Sequence, residues 1–284
     1  MPPAAPAPAP YLLIRCPDEP GLIYRITGVL FRHGLNIVRN DEFVEQSGPT
    51  FFMRTELTGT IEAEPLLREL RAALPAAADV HLGDPRPKDI VVLATKEHHC
   101  LSELLVRHAF GELGARIRAV ISNHAVLGPL TEQFGVPYHY VSHEGLSRPA
   151  HEAAIRAVLD SYQPEYVVLA KYMRILSPEF VAPYADRLIN IHHSFLPAFV
   201  GASPYAQAYE RGVKIIGATA HFVNDDLDQG PIITQGVMPI DHSQSAADMA
   251  QAGRDVEKIV LARALRLVFT ERVFVHRNKT IIFE

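Results

Sequence analysis

The order of predicted strands and helices changes near residue 84, and this change constrains the fold more than any other feature of the chain. Before it, the apolar pattern predicts a strand, a helix, two strands, a helix and a strand. The two helices carry apolar residues at helical spacing in the ranges 22–30 and 66–74. This βαββαβ order is the ferredoxin-like arrangement, so we expect a first α/β domain at residues 11–84.

A second domain is predicted after a polar, proline-containing linker at residues 85–88. Four short apolar runs there alternate with amphipathic stretches, at residues 90–95, 116–121, 138–141 and 166–170. Alternating strands and helices are typical of a Rossmann-like, doubly wound and mostly parallel sheet. We therefore expect this fold at residues 89–284, with the functional site at the carboxyl ends of the strands.

Composition and charge narrow the expected partners and location. The 284 residues carry 27 basic and 32 acidic side chains, a formal charge of −5, so we expect no binding to nucleic acid or to a membrane. Two cysteines, Cys16 and Cys100, fall in different predicted domains and provide no disulfide framework, which favours a cytoplasmic protein. Five prolines among the first ten residues predict a disordered arm at residues 1–10.

Two polar residues at the end of a predicted strand favour acyl chemistry. Asn190 and His192 are two positions apart, so their side chains point to the same face of the strand. An amide NH can stabilise a tetrahedral oxyanion, and an imidazole can move protons. The loop 224–231 adds three carboxylates, one of which could keep His192 charged or orient a water. Taken singly, the Asn-x-His pair could be structural and the acidic loop could simply be solvated.

The adjacent histidine pairs at 98–99 and 192–193 do not predict a metal site. Neighbouring residues of a strand face opposite ways, so we expect neither pair to chelate an ion. Histidines four positions apart occur at 139 and 143, in a predicted loop rather than on a helix. We therefore expect no metal and no permanently bound cofactor.

Three motifs resemble the enzymes that use N10-formyltetrahydrofolate, which include hydrolases and transferases. They are YMRILSP at residues 172–178, NIHHSFLP at 190–197 and DLDQGPI at 226–232. In the first domain, DEPG at 18–21 and GLNI at 34–37 resemble an ACT domain. An ACT domain followed by a formyltransferase-type domain is the layout of the formyltetrahydrofolate deformylases, and the resemblance covers the chain after the proline arm.

Carried over by position, the resemblance implies catalytic and substrate-binding residues. It makes Asn190, His192 and Asp228 the catalytic residues. It also gives the wall of a folate pocket, formed by Met173, Arg174, Ile175, Leu176, Gly201, His221, Val223, Asn224 and Asp225. The structural alternative for the apolar members of 173–176 is a core segment at a strand end, whereas a charged Arg174 in such a run needs a partner.

The turn after the first strand of the second domain indicates which molecule accepts the formyl group. The related glycinamide ribonucleotide formyltransferases hold a phosphate there on a glycine-rich turn, through exposed backbone NH groups. Here residues 95–101 contain no glycine, and Glu97 places a negative charge in the turn. The resemblance therefore implies that water is the acceptor and that N10-formyltetrahydrofolate is hydrolysed to formate and tetrahydrofolate. This reaction would supply formate for purine synthesis and balance the one-carbon folate pools.

Two other functions stay open at this point. One is a formyltransferase acting on an unphosphorylated amine, and the other is a noncatalytic folate or amino-acid sensor. The ACT resemblance implies a small amino-acid effector, with Asp18, Gly21 and Asn36 as candidate ligand residues, or a domain that only builds an oligomer. Either role predicts a homo-oligomer, because ACT sheets usually associate side by side.

Overall fold

The computed structural model describes residues 10–197 and 204–284. The chain divides into two compact units, Met1–Arg86 with Ile281–Glu284, and Pro87–Thr280. Residues 1–9 of the predicted arm, and Gly201 of the predicted folate pocket, lie outside the described residues. Within the described part of the chain, no helix is long and apolar enough to cross a membrane.

The first unit is an antiparallel sheet packed against two helices. Its elements are β1 (Tyr11–Pro17), α1 (Leu22–Arg32), β2 (Asn36–Glu45), β3 (Thr50–Thr58), α2 (Ala63–Ala73) and β4 (Asp79–Gly83). The strand order is β2-β3-β1-β4, and each pair of neighbours is antiparallel. Both helices contribute to one apolar core, in which Leu12, Ile26 and Leu70 are fully buried. The predicted βαββαβ arrangement is therefore confirmed.

The second unit contains a seven-stranded sheet of order β11-β10-β9-β8-β5-β6-β7. Its elements are β5 (Lys88–Ala94), α3 (His99–Ala109), β6 (Ala115–Ser122), α4 (Gly128–Gln133), β7 (Tyr138–Tyr140), α5 (Arg148–Tyr162), β8 (Tyr166–Ala170), α6 (Pro178–Val181), a short 3-10 helix (Ala182–Tyr184), β9 (Leu188–His192), α7 (Pro204–Arg211), β10 (Ile215–Phe222), β11 (Ile232–Pro239) and α8 (Ala246–Phe269). The chain ends with β12 (Val273–His276) and β13 (Lys279–Ile282), which form a separate two-stranded sheet. Strands β5 to β9 are parallel, whereas β10 is antiparallel to β9 and β11. The predicted mostly parallel sheet is confirmed.

The strand order explains both the apolar runs and the place of the site. Residues 90–94 of β5 are fully buried, because β5 lies between β8 and β6 and strands in the middle of such a sheet are covered on both faces. After β7 the chain returns to the other side of β5 to form β8. The order thus reverses between β5 and β8, and such a switch point opens a crevice at the carboxyl ends of the strands.

The long helix α8 brings a buried carboxylate to this region. It begins after Ser245, whose hydroxyl accepts a hydrogen bond from the Asp248 N–H, while the Asp248 carboxylate accepts one from the Ser245 N–H. This reciprocal cap satisfies donors of the first turn. Glu257, in the middle of α8, is fully buried. A buried carboxylate needs nearby donors, and the elements around the site supply them.

Candidate active site

A cavity of about 380 Å³ lies at the carboxyl ends of β8 and β9. It is lined by every predicted catalytic and folate-pocket residue in the described part of the chain, namely Asn190, His192, Asp228, Met173, Arg174, Ile175, Leu176, His221, Val223, Asn224 and Asp225. The end of β9, the loop after β8, and the end of β10 with its following loop supply these side chains. Motifs that lie far apart in the sequence therefore meet at one concave surface.

An ion pair joins His192 to Asp228. His192 Nδ1 lies 3.3 Å from Asp228 Oδ2, and His192 is only 6% exposed. Burial raises the pKa of the Asp228 carboxyl, but the hydrogen bond and the charge of His192 outweigh burial and hold that pKa below its usual range. His192 Nε2 is buried without a hydrogen-bond partner among the described residues. That nitrogen is therefore free to bind a group inside the cavity.

His221 orients the amide of Asn190. The antiparallel register of β9 and β10 places the two residues opposite each other, and Asn190 Nδ2 lies 3.2 Å from His221 Nε2. The His221 Nδ1–H donates to the carbonyl oxygen of Phe222 at 2.8 Å, which leaves Nε2 as the acceptor for Asn190. Burial lowers the pKa of His221, so the ring is neutral. One N–H of Asn190 is held in this way, and the second remains for a ligand.

Gly230 lets the loop backbone pass close to the Phe222 carbonyl oxygen, which the hydrogen bond from His221 requires. A Cβ on Gly230 would lie 1.8 Å from the carbonyl oxygen of Phe222, the oxygen that accepts from His221. We expect Gly230→Ala to lower the free energy of unfolding by about 2 kcal/mol or more and to lower kcat, because the backbone beside His221 must shift. Urea denaturation and turnover measure the two effects.

The control for this substitution is Gly28→Ala in α1. A Cβ on Gly28 would meet only the Arg32 guanidinium, at 3.6 Å. Alanine favours helix over glycine by about 1 kcal/mol, so the control variant should be at least as stable as the unmodified protein. Equal stability of the two alanine variants would contradict the role given to Gly230.

The segment after β8 is not a core segment. Met173 and Ile175 are 57% and 56% exposed, which overturns the structural alternative for these two residues. Two hydrogen bonds to its backbone fix the segment. The Met173 N–H donates to Thr95 Oγ1 at 2.9 Å, and Arg148 Nε donates to the Ile175 carbonyl oxygen at 3.1 Å. Arg174 lines the cavity half-buried, and no described residue forms a hydrogen bond or ion pair with its guanidinium.

The expectation that His192 and His193 face opposite ways is wrong. Strand β9 ends at His192, so the alternation of a strand does not extend to His193. The two rings are stacked, with centroids 4.8 Å apart and an interplanar angle of 24°. Both residues line the same cavity.

A buried polar network adjoins the cavity at Lys171, the residue after β8. Glu257 Oε2 lies 2.6 Å from His99 Nε2 and 3.2 Å from Lys171 Nζ, and the Tyr205 hydroxyl donates to Glu257 Oε1 at 2.7 Å. Burial raises the pKa of Glu257, but the His99 hydrogen bond, the Lys171 charge and the Tyr205 hydroxyl together lower it to about 2. The network fixes Lys171, which lines the cavity.

One group of side chains has the composition of a metal site. Ligand atoms of His99, Cys100 and Glu257 lie within 4.8 Å of one another. The Glu257 oxygens already accept from three donors, one of them an ammonium. Burial raises the pKa of the Cys100 thiol well above its usual value, so the thiol stays protonated and is a poor ligand. The donor set favours a hydrogen-bonded network.

The candidate effector residues of the first unit separate into two places. Asp18 and Gly21 line a cavity of about 530 Å³ with residues of α1 and β2. Gly21 has a φ of 87°, in the left-handed region that favours glycine. Asn36 is exposed at the start of β2 and does not line this cavity.

Comparisons with known proteins agree with this architecture. Residues 11–75 match the ACT domain family, and residues 88–265 match the formyl transferase family. The chain is 57% identical over 267 residues to a formyltetrahydrofolate deformylase of Escherichia coli, covering 94% of this chain and 95% of that protein. It is 54% identical over 271 residues to one of Haemophilus influenzae, covering 95% and 98%.

A solved structure extends the similarity to the whole fold. The crystal structure of a formyltetrahydrofolate deformylase from Pseudomonas syringae superimposes with a TM-score of 0.92 at 39% identity, covering 97% of this chain and 94% of that one. Three findings indicate the same family: the high identity over nearly the full length, the two matching domain families and the three motifs that converge on one cavity. The chain belongs to the formyltetrahydrofolate deformylase family.

Proposed function

We propose that the protein hydrolyses N10-formyltetrahydrofolate to formate and tetrahydrofolate in the cavity at the ends of β8 and β9. The observation that carries the proposal is the convergence of Asn190, His192 and Asp228 on this cavity, in a chain of the deformylase family. The formate released would be available for purine synthesis, and the reaction would balance the pools of one-carbon folates.

The proposed catalytic step uses two hydrogen-bond donors and one carboxylate. Water attacks the formyl carbon, and the developing oxyanion is stabilised by the free N–H of Asn190 and by Nε2–H of a protonated His192. Asp228 stabilises that imidazolium from Nδ1, at 3.3 Å. The tetrahedral intermediate then expels the folate nitrogen with a proton. Donors fixed before the reaction need no reorganisation when charge develops, which is why His221 matters as the partner of Asn190.

The rest of the cavity suits a folate. Its exposed apolar members, Met173 and Ile175, offer a surface for a flat ring system. Asn224 and Asp225 supply polar groups on the other wall, together with Val223 and His221. The guanidinium of Arg174 is the cation suited to a carboxylate of the substrate's glutamate.

Replacing Arg174 by methionine should weaken folate binding and spare the chemistry. Loss of one charge-assisted hydrogen bond raises the Kd for tetrahydrofolate by about ten- to hundredfold, while kcat stays within about twofold. The matched control is Arg68→Met on the exposed face of α2, which should leave both constants unchanged. Fluorescence titration and saturation kinetics make the comparison, and an unchanged Kd for Arg174→Met would remove this residue from the proposed pocket.

Water is the proposed acceptor because the phosphate-binding turn of the transferases has no counterpart here. The turn before α3 lacks the glycine that lets backbone N–H groups approach a phosphate closely. Glu97 lies 3.5 Å from His99 Nδ1. It therefore adds a carboxylate, beside the cations Lys96 and Lys258, at the turn where a transferase would hold the phosphate of its acceptor.

Formate release tests the proposed function directly. N10-formyltetrahydrofolate is incubated with the protein alone, with glycinamide ribonucleotide, and with unphosphorylated amines. We expect rapid release of formate without an acceptor, unchanged by either addition. Release that depended on an amine would identify a transferase, and no release under any condition would identify a folate sensor.

We also infer four properties that concern the whole protein. Hydrolysis as proposed uses neither a metal nor a permanently bound cofactor, and complete, metal-reversible inhibition by a chelator would contradict this.

A small amino acid is the proposed effector, at the cavity lined by Asp18 and Gly21. The exposed Tyr24 and Phe31 of α1 support a homo-oligomer. Buried free thiols support a cytoplasmic location.

A further inference from the structure

His193 is an unused imidazole inside the catalytic cavity. Its ring is stacked on His192, and both residues line the cavity with Asn190 and Asp228. No described residue forms a hydrogen bond with either ring nitrogen of His193. Because the half-buried ring is stacked on His192, a water bound to it would lie inside the same cavity.

The two stacked rings have opposite electrostatic neighbours. His192 faces the carboxylate of Asp228 at 3.3 Å. Four charged or titratable groups act on His193: Lys171 just after β8, His192 at the end of β9, Glu257 on α8 and Asp228 in the β10–β11 loop. Burial, Lys171 and His192 together lower the pKa of His193 to about 4, against the opposing effect of the two carboxylates. His193 is therefore neutral at pH 7 and has a lone pair to offer.

The Lys171 ammonium, which lines the same cavity as His193, is held in place. Lys171 is 5% exposed, and its Nζ lies 3.2 Å from Glu257 Oε2. Glu257 is itself fixed by His99 and Tyr205, at 2.6 and 2.7 Å.

We propose that His193 is a further catalytic residue, which binds the attacking water through a ring nitrogen and accepts its proton. Burial keeps the His193 ring neutral, and Lys171, held by Glu257, is a positioning residue that reinforces this. This inference rests on the proposed hydrolysis and adds the base that this reaction requires.

In the proposed reaction, one water proton passes through His193 to N10 of the folate. The water oxygen forms a bond to the formyl carbon, one water proton moves to His193, and the carbonyl π electrons move to the oxygen held by Asn190 and His192. As these electrons return, the bond from carbon to N10 breaks and its electron pair takes the proton from the His193 imidazolium. The remaining acidic proton leaves with the product, which ionises to formate. The leaving nitrogen is a weakly basic aryl amine, so a strongly acidic imidazolium is a suitable donor.

His193→Ala tests the role through chemical rescue. We expect kcat for formate release to fall by about 10² to 10³-fold, with the Kd for tetrahydrofolate unchanged, and added imidazole to restore part of the turnover. The matched control, exposed His242→Ala, should show neither loss nor rescue. If the alanine variant does not fold, His193→Asn should show the same loss of kcat. Full activity of a folded His193 variant, or a loss that imidazole does not restore, would overturn the proposal.

A pH profile tests the role of Lys171. A base must be neutral to act, so kcat falls as pH decreases through the pKa of His193, about 4 in the unmodified protein. In Lys171→Met the ammonium is absent. The acid limb of the profile, meaning the pH at which kcat falls to half on the acid side, should therefore rise toward 6.5, the ordinary pKa of histidine. The double variant Lys171→Met/Glu257→Gln serves if the single variant does not fold. It also removes the Glu257 charge, whose effect on His193 is opposite to that of Lys171 and weaker, so the acid limb should still move upward.

An acid limb that did not move in either variant would overturn the positioning role of Lys171. The unmodified protein separates these failures from a failure of the proposed function. If it releases no formate without an acceptor, the hydrolysis itself is wrong. If it releases formate and the His193 and Lys171 variants behave like it, only the present inference is wrong.

Discussion

Replacing Asp228 by asparagine is expected to reduce kcat for formate release by about 10³-fold and to change the Kd for tetrahydrofolate by less than about threefold. The carboxylate lies 3.3 Å from His192 Nδ1 and 3.7 Å from His221 Nε2, so its charge acts on the imidazole that we propose as an oxyanion donor. Asparagine keeps the shape and tolerates the left-handed backbone of this position, where φ is 56°. The fold should therefore survive while the charge is lost.

Asp226→Asn is the matched control for this experiment. Asp226 belongs to the same loop and is exposed, but it does not line the cavity. The same change of charge two positions away should leave kcat within about twofold. Comparable losses in the two variants would show that loop charge in general, and not the ion pair with His192, controls turnover.

Replacing Lys171 by methionine is expected to lower the free energy of unfolding by about 3 to 5 kcal/mol, measured by urea denaturation. Glu257 is fully buried, and Lys171 is the ammonium among its three partners. Without this cation a buried carboxylate remains with only the His99 and Tyr205 hydrogen bonds. The cost of an uncompensated buried charge exceeds that of the methylene packing, which methionine largely preserves.

Two further variants identify the cause of that loss. Lys171→Met/Glu257→Gln removes both charges and should be less destabilised than the sum of its single substitutions, by about 2 kcal/mol. Lys258→Met, one position along α8, removes a more exposed ammonium paired with Asp255 at 2.7 Å, and should cost less than about 1 kcal/mol. Equal destabilisation by Lys171→Met and Lys258→Met would contradict the account of the buried pair.

The sequence predicts those features of the fold and the site that depend on residues close together in the chain. The alternation of apolar residues predicts the order of strands, and the two-residue spacing of Asn190 and His192 places both side chains in the cavity. The motif resemblance adds Asp228, which the chain places next to His192 although 36 positions separate them. Parallel and antiparallel pairing around β9 is what brings those segments together.

The remaining features depend on tertiary contacts that no local pattern encodes. His99 and Glu257 are 158 positions apart, and nothing at either position indicates the other. His193 enters the cavity because β9 ends one residue before it, and the exact end of a strand is the least predictable part of an element. The apolar run at 173–176 resembles core, yet the turn after β8 exposes Met173 and Ile175 to the cavity.

The most direct test of the account is a single turnover of N10-formyltetrahydrofolate in water enriched in oxygen-18, followed by mass spectrometry of the formate. If water attacks the formyl carbon, each formate molecule carries one oxygen atom from the solvent, and Asp228→Asn forms this labelled product far more slowly. Formate without solvent oxygen, or a formyl group recovered on an amine, would contradict hydrolysis at this site.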